Sequence, residues 1–475
     1  MPAAGSVILG RVPPTDVSTR AEELAAEILQ TGPAQALPGA AIQALCGMAC
    51  SPDPHEAGAG TEAIFQSIVE HWGDRFEPGL CVRYGEFFSA LIECYRRRPG
   101  AEAFDGLLRR LGAPDQRALL ERMERQRPAR ASSVPNRAAV RKVLVLSRVT
   151  LGADVAVTSV FLAAAKRLFP SAEILLVGGE KAGALFGGDE RVRTLRIEYG
   201  RSGSLAGRLN AWRETVQAIE QAAGGLKAEE YAILDPDSRI TQLGLLPLIP
   251  RDASSYFFES RSYGVDTSLP LGQLSGRWLQ EAFGAEADEL PPLVGLPDED
   301  LELGRLLRRT VSGPIAAVNF GVGGNDAKRV GGRFELNLLR LLFRRGYAVV
   351  LDHGAGADEM ARTRRMVELC RKEGISAGEI RAGRCDDAML LTWQGSLNGF
   401  AGIIASSDLY AGYDSAGGHL AAALGVAGID IFSGAVCERM RQRWRPWGKR
   451  PGSVAAVEDS AHPDEVLAAA EKLIP

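Results

Sequence analysis

Over the first 136 residues, apolar side chains recur at steps of three and four, as in Phe87, Leu91, Cys94 and Tyr95, the stripe of a helix face. The spacing predicts helices near Ala21–Gln30, Gly39–Cys50, Thr61–His71, Tyr84–Arg98, Ala101–Leu111 and Pro114–Arg127. Breaks are expected at the Pro- and Gly-containing stretches Ser51–Gly60 and Pro99–Gly100. No strand pattern occurs here, so an all-helical bundle is expected, closed by the polar linker RPARASSVPNRA, Arg127–Ala138. The texture then changes abruptly. KVLVLS, Lys142–Ser147, is a continuous apolar run of strand length. A glycine loop, a helix over Val155–Phe169 and a strand over Glu173–Val177 complete a βαβ unit. The alternation continues with a helix over Leu205–Ala223, a strand over Tyr231–Leu234 and a helix over Gly272–Phe283.

A second α/β alternation restarts near Gly313. Strands are predicted over Ile315–Phe320 and Tyr347–Asp352, and helices over Phe334–Arg345, Ala357–Glu373, Leu397–Ser406 and His462–Leu473. Three units follow: a helical domain (1–136) and two Rossmann-like, doubly wound α/β domains (139–308 and 309–475) facing one another across a cleft. Residues from about Arg137 onward are expected to form a separable unit.

The most specific local pattern is SSDLYAGYDSAGGHLAAALGVAGIDIFSG, Ser406–Gly434. It reads as a strand over Asp408–Ala411, a polar loop to Ser415, a helix from Ala416 and a strand over Gly428–Phe432. In an open α/β sheet the turn from strand to helix is the ligand crevice. The helix N-terminus presents unpaired N–H groups and favours negative charge. Asp414, Ser415, Gly417, Gly418 and His419 therefore read as a pocket for a nucleotide diphosphate, with the glycines admitting phosphate close to the backbone. Upstream, NFGVGGND precedes Lys328 and Arg329, so that Gly321 and the basic pair read as a second phosphate clamp. A flexible loop with an exposed basic pair is the alternative.

The Asp414–Gly434 segment resembles the donor-binding signature of glycosyltransferase family 9, which contains the ADP-heptose–lipopolysaccharide heptosyltransferases. The match is D-S-x-x-x-H followed by LAAALGV and an apolar strand ending FSG, with Ala416 where the family prefers glycine. Gly152, Asp154, Val155 and Thr158 resemble its G-D-[VI]-x-x-T motif, with Ala153 inserted, and Gly321, Lys328 and Arg329 resemble its later basic motif, with Val330 and Gly331 replacing Trp-Pro. The resemblance spans Lys142 to the C-terminus. It implies a GT-B fold and an inverting transferase that needs no metal or other cofactor. It makes Asp154 the base, where position alone reads as a helix N-cap. The donor expected is a nucleotide-diphosphate sugar, by analogy ADP-heptose. The acceptor is left open among lipopolysaccharide core, other lipid-linked glycans and protein.

Other candidates carry two readings each. Asp235 and Asp237 form D-x-D in YAILDPDSRITQ, a pattern used for divalent metal; Asp235 and Arg239 are preferred as acceptor-side or structural residues. His353, with Gly354 and Gly356, lines the donor pocket or makes a turn. RQRWRPWGKR, Arg441–Arg450, closes over phosphate or is a surface loop packed on Trp444. The helical region serves acceptor recognition, assembly or stability. A UDP-sugar epimerase and a degenerate, non-catalytic GT-B scaffold are the alternative functions. Composition narrows little beyond this. The net charge of −4 gives no drive toward nucleic acid or anionic membrane. Seven scattered cysteines fit a reducing cytoplasm rather than a disulfide framework, and Cys46 and Cys50 read as small buried hydrophobes rather than zinc ligands. No apolar run is long enough to span a bilayer, and MPAAGSVILGRVPP does not read as a secretory signal. Peripheral membrane contact is left open.

Overall fold

The computed structural model describes residues 14–32, 34–127, 137–200, 204–250, 255–284, 290–323, 325–354, 356–448, 454–457 and 462–474. The expected linker falls largely on 128–136, and the N-terminal segment on 1–13, both outside the described residues, as are Lys449 and Arg450.

The two predicted alternations form two sheets. The first holds β1 (Lys142–Leu146), β2 (Glu173–Gly178), β3 (Val192–Arg196), β4 (Tyr231–Asp235) and β5 (Ser255–Phe257), in the order β3-β2-β1-β4-β5, all parallel. The second holds β6 (Ile315–Asn319), β7 (Ala348–Asp352), β8 (Ala377–Arg381), β9 (Arg384–Cys385), β10 (Leu390–Trp393), β11 (Leu409–Tyr413), β12 (Ala427–Ile431) and β13 (Val454–Val457). Its order is β13-β12-β11-β6-β7-β10-β8-β9, parallel except for the β8–β9 pair. In each sheet the first strand has neighbours from opposite winding directions, β2 and β4 beside β1, β7 and β11 beside β6. The carboxyl ends of those strands are the switch points where a crevice opens. This is the GT-B arrangement.

The bundle before β1 has helices at Pro14–Leu29, Gly39–Ala49, Pro78–Arg96, Glu102–Arg110 and Gln116–Gln126. The expected break at Ser51–Gly60 is instead the start of a helix. Asp53 caps it, its Oδ1 accepting from His55 N at 2.8 Å, and Pro54 occupies the first turn, where a missing N–H costs nothing. That helix runs on through Ala63–Glu70 and His71–Gly73.

The helical region shares a core with the first sheet. Strand side chains alternate between faces. Val143 and Val145 of β1 pack with the helix Ser159–Leu168 and with Leu271–Phe283, whereas Leu144, Leu146, Leu175, Val177 and Ile233 pack with Phe87, Leu91, Leu108 and Leu119 of the bundle and with the Leu205–Ala222 helix. Arg122 Nη1 donates to Gly244 O at 2.6 Å, and Trp212 lies 5.0 Å from Phe104. The expectation of a separable α/β unit is therefore corrected: one sheet face takes part of its cover from the bundle.

Candidate active site

Asp154 lies in the helix that follows β1, where a π-type turn, Asp154–Thr158, widens the winding between Leu151–Ala153 and Ser159–Leu168. It is past the N-cap, a position held by Thr150. Its carboxylate is fully enclosed, with 0% exposure. Oδ2 accepts from Ser147 Oγ at 2.8 Å, and Oδ1 accepts from Arg148 N at 2.7 Å and Thr158 Oγ1 at 2.7 Å. Burial raises its pKa to about 6, against these bonds, which favour the ionised form. The preceding Val149 has φ 75°, a left-handed conformation that strains a β-branched residue.

The loops after β4 and β5 carry the acceptor-side candidates. Asp235 is buried and holds its own turn, accepting from Ser238 N at 2.7 Å and Thr241 Oγ1 at 2.6 Å; burial raises its pKa to about 6. Asp237 accepts from Arg261 Nη1 at 2.6 Å and from Ser260 Oγ, with Arg148 Nη2 at 3.8 Å. The D-x-D carboxylates are thus held by separate internal networks, and no cluster of metal-ligating side chains occurs among the described residues. Arg239 is half-buried, and its Nη1 has no hydrogen-bond partner among the described residues. Arg148 and Arg261, not singled out in the sequence, are buried beside it. Desolvation lowers the Arg148 pKa to about 10, although Asp237 opposes the shift.

Across the cleft, Lys328 Nζ donates to Asp414 Oδ2 at 2.6 Å and to Asp414 O at 3.1 Å. An ammonium has three N–H donors, so one remains for a ligand. Ser415 is the N-cap of the Ala416–Leu424 helix, its Oγ accepting from Gly417 N at 3.4 Å. Lys328, Asp414, Ser415, Gly417, Gly418 and His419 come together as the sequence suggested. Arg329 is engaged elsewhere. Its Nη1 donates to Phe320 O at 2.9 Å and Glu335 Oε1 at 3.2 Å, and its Nε to Asp326 Oδ1 at 3.0 Å. The Gly321 and Val322 N–H groups are taken by Asn319 Oδ1 at 2.8 Å and Glu359 Oε1 at 3.1 Å. The geometry corrects the phosphate role expected of Arg329 and Gly321 to one of holding the loop that presents Lys328. His353 is buried just after β7, its Nδ1 without a partner among the described residues, and Gly354 beside it turns at φ 75°.

Residues 324–473, which hold Lys328, Asp414 and Ser415, match the family model of glycosyltransferase family 9 (heptosyltransferase). The C-terminal unit is a glycosyltransferase family 9 domain. Among solved structures, a family 9 glycosyl transferase from Veillonella parvula DSM 2008 is similar in fold, with 14% identity and a TM-score of 0.51 over 73% of this chain and 92% of that one. E. coli heptosyltransferase WaaC with ADP gives 17% identity and a TM-score of 0.47 over 70% and 100%. E. coli ADP-heptose lps heptosyltransferase II gives 15% and 0.46 over 70% and 98%. No curated protein sequence matches the chain. The chain is a glycosyltransferase of GT-B architecture.

Within the family 9 domain the paired glycines have a packing role that the sequence did not reveal. A Cβ on Gly417 would strike the Tyr410 hydroxyl, and one on Gly418 the carboxyl of Asp430. Their missing side chains face the sheet, leaving the helix N–H groups on the cleft side. Asp430, in β12, is fully buried, both oxygens lack partners among the described residues, and desolvation raises its pKa well above the usual carboxylate range. Its sequence signal was a lone charge between Ile429 and Ile431. His419 is buried and neutral, its pKa lowered to about 4 by desolvation. The two units touch here: a Cβ on Gly152 would sit 3.3 Å from His419. Trp444 marks the junction, with Arg148 Cζ 5.6 Å from its ring centroid, and His419 and Phe76 rings at 6.1 and 6.5 Å. The expected Trp444 loop is thus partly a helix, Glu438–Trp444, packed at the cleft.

Proposed function

We propose that the enzyme transfers a sugar, with inversion and without a metal ion, from a nucleoside-diphosphate donor to an acceptor hydroxyl. One observation carries the reading. Inside the family 9 domain, Lys328 is held by Asp414 at the N-terminus of the Ala416–Leu424 helix, with one ammonium donor free for the diphosphate. In the reaction the acceptor oxygen bonds to the anomeric carbon from the face opposite the leaving group. The bond from that carbon to the diphosphate oxygen breaks, and its electron pair leaves with the diphosphate. Lys328 and the helix N–H groups stabilise that departing charge. Asp154 takes the acceptor proton, for which a bond from Ser147 or Thr158 must open toward the cleft. Heptose is the sugar named by the family description, and ADP is the carrier the family resemblance implies. The acceptor class comprises lipopolysaccharide core, other glycans and protein. Seven free cysteines fit a cytoplasmic site of action, and no described helix is long and apolar enough to cross a membrane.

Thermal shift and calorimetry test the donor assignment. ADP should stabilise the chain with chelator present and more strongly than UDP, as a ligand that binds only the folded state must. Lys328→Ala should weaken ADP by roughly ten- to a hundredfold, the effect of about 1.5–3 kcal/mol for a charge-assisted hydrogen bond. Binding only with Mg²⁺ or Mn²⁺, or an unchanged Kd in Lys328→Ala, would overturn the site. Interconversion of a UDP-sugar would indicate the epimerase, and binding without turnover of donor the scaffold.

A further inference from the structure

The helical region does more than cover a sheet face. Between the helix ending at Gly73 and the one starting at Pro78, the chain passes through Asp74, Arg75, Phe76 and Glu77. Phe76 is 1% exposed, belongs to the core that the two sheets share, and has φ 55°. A left-handed aromatic residue is strained and persists only where its surroundings hold it. Both halves of the fold supply the grip. From the C-terminal side, Arg439 Nη1 donates to Phe76 O at 2.9 Å, Trp444 stacks edgewise on the Phe76 ring, and Cys437 Sγ lies 3.9 Å from the carbonyls of Asp74 and Arg75. From the N-terminal sheet, Arg261 packs so closely on Gly73 that a Cβ there would sit 2.8 Å from its Nε. The loop is fixed across the cleft where the two α/β units meet.

The loop carries two carboxylates, of which Glu77 is exposed and Asp74 half-buried. The side chain of Asp74 has no hydrogen bond or ion pair among the described residues, yet lies in the fields of Arg261, Arg239, Lys328 and Asp414. Of the neighbouring carboxylates, Asp154 is engaged by three donors and Asp414 by Lys328, Asp237 is held through Oδ2 by Arg261 and Ser260, and Asp430 is enclosed beneath Gly418. A half-buried carboxylate without donors is costly, and a ligand that supplies donors relieves that cost. Phosphate would be repelled. A sugar placed between the diphosphate clamp and the arginines would offer neutral hydroxyls, which donate to carboxylate oxygens.

We propose that Asp74, supplied by the helical region, contacts the substrate by accepting hydrogen bonds from hydroxyls of the transferred sugar. The assignment rests on the donor reading above. It is tested on the full chain with ADP and ADP-heptose as probes, by calorimetry on wild type, Asp74→Ala and the isosteric Asp74→Asn. Melting temperatures near wild type establish that the loop keeps its place, and Asp74→Asn supplies the reading if Asp74→Ala fails to fold. The expected result is ADP affinity within about twofold of wild type and ADP-heptose affinity lowered about tenfold or more, the scale of a lost hydrogen bond to a charged group. Equal losses for both probes would make Asp74 a structural residue, and no loss for either would remove it from the site. Wild type binding neither probe would sink the donor reading and this assignment with it. Wild type binding both, with unaltered variants, would sink this assignment alone.

Discussion

Asp154 combines enclosure with three donated hydrogen bonds, and its pKa near 6 makes its proposed role measurable. A base works only when ionised, so kcat/KM for transfer should rise with pH and level off above an inflection near 6. Asp154→Asn should lower transfer by roughly 10²–10⁴-fold, erase that inflection and leave ADP affinity unchanged. Retained transfer would exclude the residue. Stability runs the other way. The folded pKa lies above the ordinary 3.8, so the folded state holds its proton where the unfolded chain has released it. Between about pH 4 and 6 the folded form binds more protons, and this contribution to stability is lost as pH rises through the folded pKa. The family resemblance marked Asp154 as a candidate, where position alone read as a helix N-cap. Its enclosure depends on Ser147, Arg148 and Thr158 closing around it, which only the turn after β1 arranges.

At the scale of elements, β12 and the Ala416–Leu424 helix form one device. The helix approaches the strand because Gly418 has no side chain to meet Asp430. Asp430 has no donor among the described residues and is pushed toward its neutral form, so it costs stability whenever it ionises. Asp430→Val keeps an apolar strand and removes that cost. The variant should melt higher than wild type near pH 8, and the gap should narrow as pH falls, because protonation relieves the same cost in wild type. A gap that does not change between about pH 5 and pH 8 would show that Asp430 is not titrating from a buried state. Central strands such as β1, β6 and β11 were legible as continuous apolar runs, since they are buried on both faces. The edge strands β3 and β9, and β8 next to the edge, were not, because exposed positions interrupt their pattern.

For the whole molecule, the shared core decides what can be removed. Deleting the bundle would expose Leu144, Leu146, Leu175, Val177 and Ile233 on one face of the first sheet, each worth about 1.5–3 kcal/mol when fully buried. It would also remove Phe76 from the cleft. A chain starting near Arg137 is therefore expected to aggregate or unfold, with loss of its cooperative melting transition. A soluble truncated chain that binds ADP with normal affinity would show that the bundle is a dispensable cap.

By itself the sequence determined the two α/β alternations, the helical start and the Asp414–His419 turn, because each depends on local spacing: apolar period, glycine placement and an N-cap residue. It could not decide which carboxylates are open to a ligand. Asp154, Asp235 and Asp237 look available in sequence and are engaged in space, whereas Asp74, between two helices and with no catalytic pattern, has no side-chain partner among the described residues. Nor could it decide that Arg329 holds a loop or that the bundle completes the core of a distant sheet. Those assignments depend on partners tens to hundreds of residues away along the chain, and hydrogen bonding and burial are set by distance in space. Only the folded chain brings those partners together.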